Sequence, residues 1–346
     1  MANKVINGER FGMAKKVLEA FSEKTVLVTG GAGAIGSNLV KTLSNLETKK
    51  IIIIDDLSSS YEWNIPLSPK VDFIKGSILD EEKLRLAFRE KPQIVYHLAA
   101  HFANQNSVDN PETDLMINGM GTLKVLEHAH LEGVERFIYA SSGCGMYGAD
   151  SRMPFKEHDV SMNLYTPYQV TKTLGELYTN YYHNLYDLPI VNARLFNMYG
   201  PGEVPGKYRN VIPNFFYWSL NKQPLPITGT GEETRDFTYV GDLVNGLLAM
   251  AYYEDAVGES INIGTGKEIR IRDLAEWIIE LTGNDAGIVF KERRDWDKKP
   301  RLLSSTEKAR KILGYEPSMD FREGLKQVHS WFMANWQHIK DSKAFV

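Results

Sequence analysis

The stretch Thr25-Val26-Leu27-Val28-Thr29-Gly30-Gly31-Ala32-Gly33-Ala34-Ile35-Gly36 decides the fold of this 346-residue chain. Five residues suited to a buried strand run directly into a glycine-rich turn. The turn opens a helix whose apolar residues Leu39, Val40 and Leu43 recur at helical spacing. Each glycine has its own task in such a turn. Gly30 permits the tight reversal, Gly33 lets the backbone approach a diphosphate, and Gly36 lets the helix pack closely on the sheet. The backbone at Ala34, Ile35 and Gly36 forms the helix N-terminus, where the helix dipole favours negative charge.

Working outward, the chain alternates β-branched runs with helical patterns, which predicts an α/β fold: a Rossmann-type doubly wound parallel sheet. Strands are expected at Thr25 to Thr29, Lys50 to Asp55, Val71 to Lys75, Gln93 to Leu98, Arg136 to Ser141 and Ile190 to Leu195. Several are apolar on both faces, as a sheet covered by helices on both sides requires. Helices are expected at Asp114 to Leu131, Tyr168 to Tyr186, Val211 to Leu220, Val240 to Tyr253 and Ile271 to Leu281. The reading is a dinucleotide-binding domain over 24–200 and a smaller α/β substrate domain mainly over 201–335. Segments such as 235–260 are free to return to the first domain. Residues 1–23 form an N-terminal extension whose interrupted apolar pattern reads as a helix packed on the surface.

Asp55 ends the second strand, 19 positions after Gly36. A carboxylate there accepts bonds from both hydroxyls of an adenosine ribose and repels a 2'-phosphate. No Arg or Lys follows in Asp56-Leu57-Ser58-Ser59-Ser60, so the cofactor expected is NAD rather than NADP.

Composition narrows the classes. Hydrophobic residues are 43% and charged residues 24%, ordinary for a globular domain with a full core. The formal charge of -4 supplies no basic field for nucleic acid or anionic membranes. The longest apolar runs, such as Ile51 to Ile54, are far too short to span a bilayer. Cys144 is the single cysteine, which excludes an internal disulfide and a multi-cysteine metal site, and fits a reducing cytoplasm. No metal is expected.

Tyr168-Gln169-Val170-Thr171-Lys172 places a phenol and an ammonium four residues apart on one helix face. An ammonium beside a phenol favours phenolate, so Lys172 is expected to lower the Tyr168 pKa and make it a general base. The lysine can also reach a nicotinamide ribose. About 130 residues upstream lies the glycine turn, and both belong at the carboxyl ends of the strands.

With these motifs the chain resembles the nucleotide-sugar epimerase and dehydratase branch of the extended short-chain dehydrogenase/reductase family, from about residue 24 to 335. The resemblance also rests on His97-Leu98-Ala99-Ala100, Asn118-Gly119-Met120-Gly121-Thr122, Tyr139-Ala140-Ser141-Ser142 and Met146-Tyr147-Gly148. Further on come Arg194-Leu195-Phe196-Asn197-Met198-Tyr199-Gly200-Pro201, Gly229-Thr230-Gly231 and Arg235-Asp236-Phe237. It implies that Ser77 and Ile78 lie near the adenine, Ser77 standing where relatives usually carry aspartate. Ala99, Ala100, Asn118 and Ser141 would join the cofactor path. Asn197, Arg235 and Arg294 match positions that hold the diphosphate of a nucleotide-sugar substrate, and guanidinium groups suit diphosphate oxygens. The resemblance further implies a homodimer in which the helices Asp114 to Leu131 and Tyr168 to Tyr186 pair into a four-helix bundle.

The chain departs from the family pattern at one catalytic position, where a Ser or Thr is normal and Gly143 stands instead, flanked by Ser142 and Cys144. Ser142 is the candidate replacement; the alternatives are a Tyr168 that works without a hydroxyl partner, or a role for Cys144.

The opening step implied by the family is removal of a sugar hydroxyl proton, usually at C4, by Tyr168 while hydride passes to NAD. Related 4,6-dehydratases carry an Asp-Glu pair where this chain reads Gly143-Cys144-Gly145-Met146, and uronate decarboxylases usually place a glutamate there. Both reactions are disfavoured. A 4-epimerase needs no further acid or base and is the first expectation. A 4-dehydrogenase or ketoreductase is the second, and a C3 or C5 epimerase the third. A non-catalytic NAD-binding sensor is the alternative from another class, opposed by the retention of both Tyr168 and Lys172.

Overall fold

A computed structural model describes residues 15–342. Its centre is a seven-stranded sheet in which every pairing is parallel. The strands are β1 (Thr25–Thr29), β2 (Lys50–Asp55), β3 (Val71–Lys75), β4 (Ile94–His97), β5 (Arg136–Ser142), β6 (Ile190–Leu195) and a last strand, Ser260–Ile263. From one edge the order is Ser260–Ile263, β6, β5, β4, β1, β2, β3. Strand order therefore reverses between β1 and β4, where Thr29 lies opposite His97. In a doubly wound sheet the crevice at that reversal, outside the carboxyl ends of the strands, is where ligands bind.

Alternation along β1 shows how the layers are filled. Val26 and Val28 face one core, shared with Leu39, Val40 and Leu43 of α2 (Ala34–Ser44) and with the helix Val240–Tyr252. Leu27 faces the other, shared with Leu84 and Phe88 of α3 (Glu81–Phe88) and with Val125 and Leu126. The helix Val240–Tyr252 and the edge strand Ser260–Ile263 bring the later chain back onto this sheet.

A third core lies outside the sheet. The helices Val211–Leu220, Ile271–Thr282 and Phe321–Ala334 enclose Phe215, Phe216, Leu274, Ile278 and Phe332. Leu225–Thr228 pairs with Ile288–Lys291 on that cluster's flank.

One local element differs from the sequence reading. The helix expected from Asp114 begins at Pro111 and contains a π-helical stretch, Leu115–Gly121, before continuing as Thr122–Leu131. The N-terminal helix α1 spans Lys15–Glu19 and packs on the surface as expected, with Val17 and the following Phe21 anchored in the first core. Residues 1–14 of the expected extension lie outside the described residues.

Candidate active site

The glycine turn has the shape that the sequence demands. Gly30 adopts φ +72°, and a Cβ there would come within 2.7 Å of the Ala99 backbone. A Cβ on Gly36 would sit 2.3 Å from the Gly30 carbonyl oxygen, so any side chain would push α2 off the sheet. Gly33 is the N-cap of α2, and no side chain caps it. The first-turn N–H groups around Ala34, Ile35 and Gly36 are thus left for a ligand, and these residues line a single large cleft. The uncapped helix end is the observation that fits a dinucleotide's diphosphate.

Asp55 lines the same cleft. Its Oδ1 accepts from the Leu57 N–H at 2.9 Å and the Ser60 hydroxyl at 2.7 Å, and its Oδ2 from the Ala32 N–H at 3.0 Å. Three donors fix the carboxylate at the end of β2 and leave lone pairs directed to the crevice. Ile78, Ala99 and Ala100 continue the lining, with Ser141, Ser142, Tyr168, Lys172 and Asn197 on its other side.

Tyr168 and Lys172 come from the helix Pro167–Tyr186, started by the Thr166 hydroxyl accepting from the Gln169 N–H at 3.3 Å, with Pro167 at the first helical position. Both side chains are buried. Burial raises the Tyr168 phenol well above its usual range, and the opposing influence is a hydrogen bond from the Ser142 hydroxyl. Lys172, expected to lower this pKa, makes no hydrogen bond to the phenol. Its ammonium donates to the Ala140 carbonyl at 2.9 Å and stands 5.9 Å from the Tyr168 ring centre. Desolvation brings Lys172 itself down to about 8, with buried Asp114 holding it up.

Gly143 has a structural reason. A Cβ at this position would fall 2.2 Å from the ring of Phe196, which is fully buried among Met146, Tyr147, Phe155 and Leu302. The place of a Ser or Thr side chain is already taken. The neighbouring Ser142 hydroxyl accepts from the Gly145 N–H at 3.0 Å, which turns it into the cleft beside Tyr168. Cys144 also lines the cleft; its thiol donates to Asn197 Oδ1 at 3.5 Å, and burial pushes its pKa up, which keeps it protonated.

Four expected site residues do not line the cleft. Ser77 lies just beyond β3, where its hydroxyl accepts from the Leu79 N–H. Asn118 is buried in the π-helical stretch. It accepts from the His101 N–H at 2.8 Å and donates to Asp114 Oδ1 at 2.9 Å, which ties the loop after β4 to the helix beneath it. Arg235 donates to the Thr234 and Pro300 carbonyls and pairs with Asp297 at 3.4 Å, within electrostatic reach of Cys144. Arg294 is exposed and stacked over Trp296. Ser141 reaches the lining, but its hydroxyl is spent on Glu176 at 2.5 Å, within a buried pair of Glu176 with Arg194.

Sequence reasoning missed Glu203, Arg209 and Asn210, which also line the cleft. Their one signal was position: a Pro- and Gly-rich loop just after a strand's carboxyl end. Lys299 was missed too. Its ammonium donates to the Cys144 and Tyr147 carbonyls at 2.6 and 2.5 Å, so the later chain holds the Ser142 turn in place.

A crevice at the sheet's reversal point, with an uncapped helix end, a carboxylate at the end of β2 and a buried Tyr-Lys pair on its walls, defines a dinucleotide-dependent enzyme of the short-chain dehydrogenase type. The chain belongs to the NAD dependent epimerase/dehydratase family, whose model matches residues 26–264, and NAD is its cofactor. It is 35% identical over 309 residues to a UDP-glucose 4-epimerase of Mycolicibacterium smegmatis, covering 88% of this chain and 97% of that one. Among solved structures, an epimerase from Methanothermobacter thermautotrophicus superimposes with a TM-score of 0.95 at 61% identity, covering 97% of this chain and 99% of that one. A UDP-glucose 4-epimerase of Thermotoga maritima, solved with UDP-glucose, gives 0.85 at 33% identity, with 90% and 99% covered. No helix among the described residues is long and apolar enough to cross a membrane.

Proposed function

We propose that this enzyme is a nucleotide-sugar 4-epimerase. The carrying observation is which reactive groups surround Tyr168: Ser142, Lys172 and a protonated Cys144, with no carboxylate from the Gly143 to Met146 turn. The acidic side chains in the lining, Asp55, Asp56 and Glu203, belong to the ends of β2 and to the loop lying on α2. A dehydratase or a C3 or C5 epimerase needs an acid and a base beside the sugar ring; a 4-epimerase does not. The names of the similar proteins support the same reading, and they favour a uridine diphosphate sugar.

The α2 end and Asp55 would hold NAD, which when bound would supply a hydride acceptor able to return the hydride within one turnover. Tyr168 takes the C4 hydroxyl proton as oxidation begins and returns it after the sugar has turned its other face. Ser142 donates to the C4 oxygen as it becomes a ketone and keeps the phenol oriented. Lys172, protonated at neutral pH, stabilises the phenolate through its positive field. Asn197 holds the substrate's diphosphate with Arg294 and with Arg235, which exchanges Asp297 for phosphate oxygens.

The working form is a homodimer. The helical run 111–131 and the helix Pro167–Tyr186 leave Leu115, Met120, Val170, Leu177, Tyr181 and Leu185 exposed along one surface. Six large apolar side chains on adjacent helices form a face that a second copy covers as a four-helix bundle.

Tyr168→Phe tests the chemistry. The variant retains NAD and loses turnover by roughly 10²- to 10⁴-fold, the usual worth of a general acid–base group. Retained turnover would overturn the mechanism, and a wild-type protein inactive on every nucleotide sugar would favour a sensor.

A further inference from the structure

The loop after β6 crosses the glycine turn as a strap. Asn38 of α2 donates to the Pro201 carbonyl at 2.8 Å, and Asn64 donates to the carbonyls of Gly202 and Ala32 at 3.0 and 3.1 Å. Gly202 lies against the first turn of α2, since a Cβ there would be 3.1 Å from the Ser37 hydroxyl oxygen. The next residue, Glu203, is 4% exposed and lines the cleft. Its Oε1 accepts from Asn210 at 2.7 Å, but its Oε2 is buried with no hydrogen-bond partner. Arg209 lines the same cleft. It feels Glu203, Tyr61 and Asp55 through space, yet among the described residues no hydrogen bond reaches its guanidinium. Burial accordingly raises the Glu203 carboxyl to about 7 and lowers Arg209.

A partly buried guanidinium without an acceptor, beside a buried carboxylate oxygen without a donor, gains both partners when a ligand supplies them. A guanidinium fork matches diphosphate oxygens, and a lone carboxylate oxygen accepts from a ribose hydroxyl. We propose that Arg209 and Glu203 form a nucleoside-diphosphate subsite, in which the strap clamps its ligand against the α2 end. The proposal rests on the reading that this cleft takes both NAD and a nucleotide sugar. Either molecule carries the required chemistry.

The test is calorimetric titration of cofactor-stripped protein with NAD and, separately, with UDP, for wild type, Arg209→Gln and Arg209→Lys. Loss of the fork weakens binding of at least one ligand by about tenfold or more, with the Lys variant intermediate because it keeps the charge alone. Weakening confined to NAD assigns the subsite to the cofactor, and weakening confined to UDP assigns it to the substrate. Weakening of both, at an unchanged melting temperature, assigns it to a strap that both ligands touch. Dissociation constants for both ligands within twofold of wild type in both variants would overturn the subsite. A wild-type protein that binds neither ligand would instead overturn the functional reading.

Discussion

At Gly143, where the resemblance leads one to expect a hydroxyl side chain, the Phe196 ring fills the space that side chain would need. This packing makes two predictions. Gly143→Ser forces the Phe196 ring to move in a cluster that has no slack, at a cost of about 1–3 kcal/mol read as a lower melting temperature. Adding Phe196→Leu recovers part of that loss, and a double-mutant cycle measures the coupling. Ser142→Ala, by contrast, lowers kcat by roughly 10²-fold, because a donor aimed at developing oxyanion charge is lost. Unchanged kcat in this variant would mean that Tyr168 works without a hydroxyl partner. The sequence exposed the departure at Gly143 by counting back from Tyr147 and Tyr168. It could not reveal the cause, because Phe196 lies 53 positions away and its ring position is a product of the fold.

Among the elements, legibility followed the apolar run rather than burial alone. β1 and β2, covered on both faces, leave a continuous hydrophobic signal and lie where it places them, and the partly exposed edge strand β3 also lies where its Val, Phe and Ile place it. The edge strand Ser260–Ile263, half polar and four residues long, gave no such signal. The π-helical stretch Leu115–Gly121 was equally silent: one wider turn leaves the apolar spacing of a helix almost unchanged, yet it carries Asn118, which pins the loop after β4. The same helical run and its neighbour Pro167–Tyr186 carry the exposed apolar face. Leu177, 59% exposed, is therefore predicted to be covered by a second copy. Leu177→Arg should convert the dimer to monomer in sedimentation equilibrium with little change in far-ultraviolet dichroism. A wild-type protein that sediments as a monomer at micromolar concentration would contradict the bundle.

For the molecule as a whole, the catalytic cleft is assembled from distant parts of the chain. The glycine turn and the Tyr-Lys helix belong to the parallel sheet and its layers, and both could be recognised from local pattern. The strap 200–210 and Lys299 come from elsewhere and close the cleft over α2 and behind the Ser142 turn. Arg235 stands near the cleft engaged by Asp297 and two carbonyls, so the role proposed for it on the diphosphate requires it to release Asp297. With Tyr168, Ser142 and Lys172 as the groups around the reacting carbon, the account requires a redox cycle that opens and closes at C4 alone. Proton NMR of the enzyme with UDP-sugars in deuterated water, without a second redox substrate, tests that most directly. The account predicts catalytic interconversion of the C4 epimers with no deuterium entering C3 or C5; deuterium at either carbon, or a single stoichiometric burst of keto sugar with reduced cofactor left on the enzyme, would contradict it.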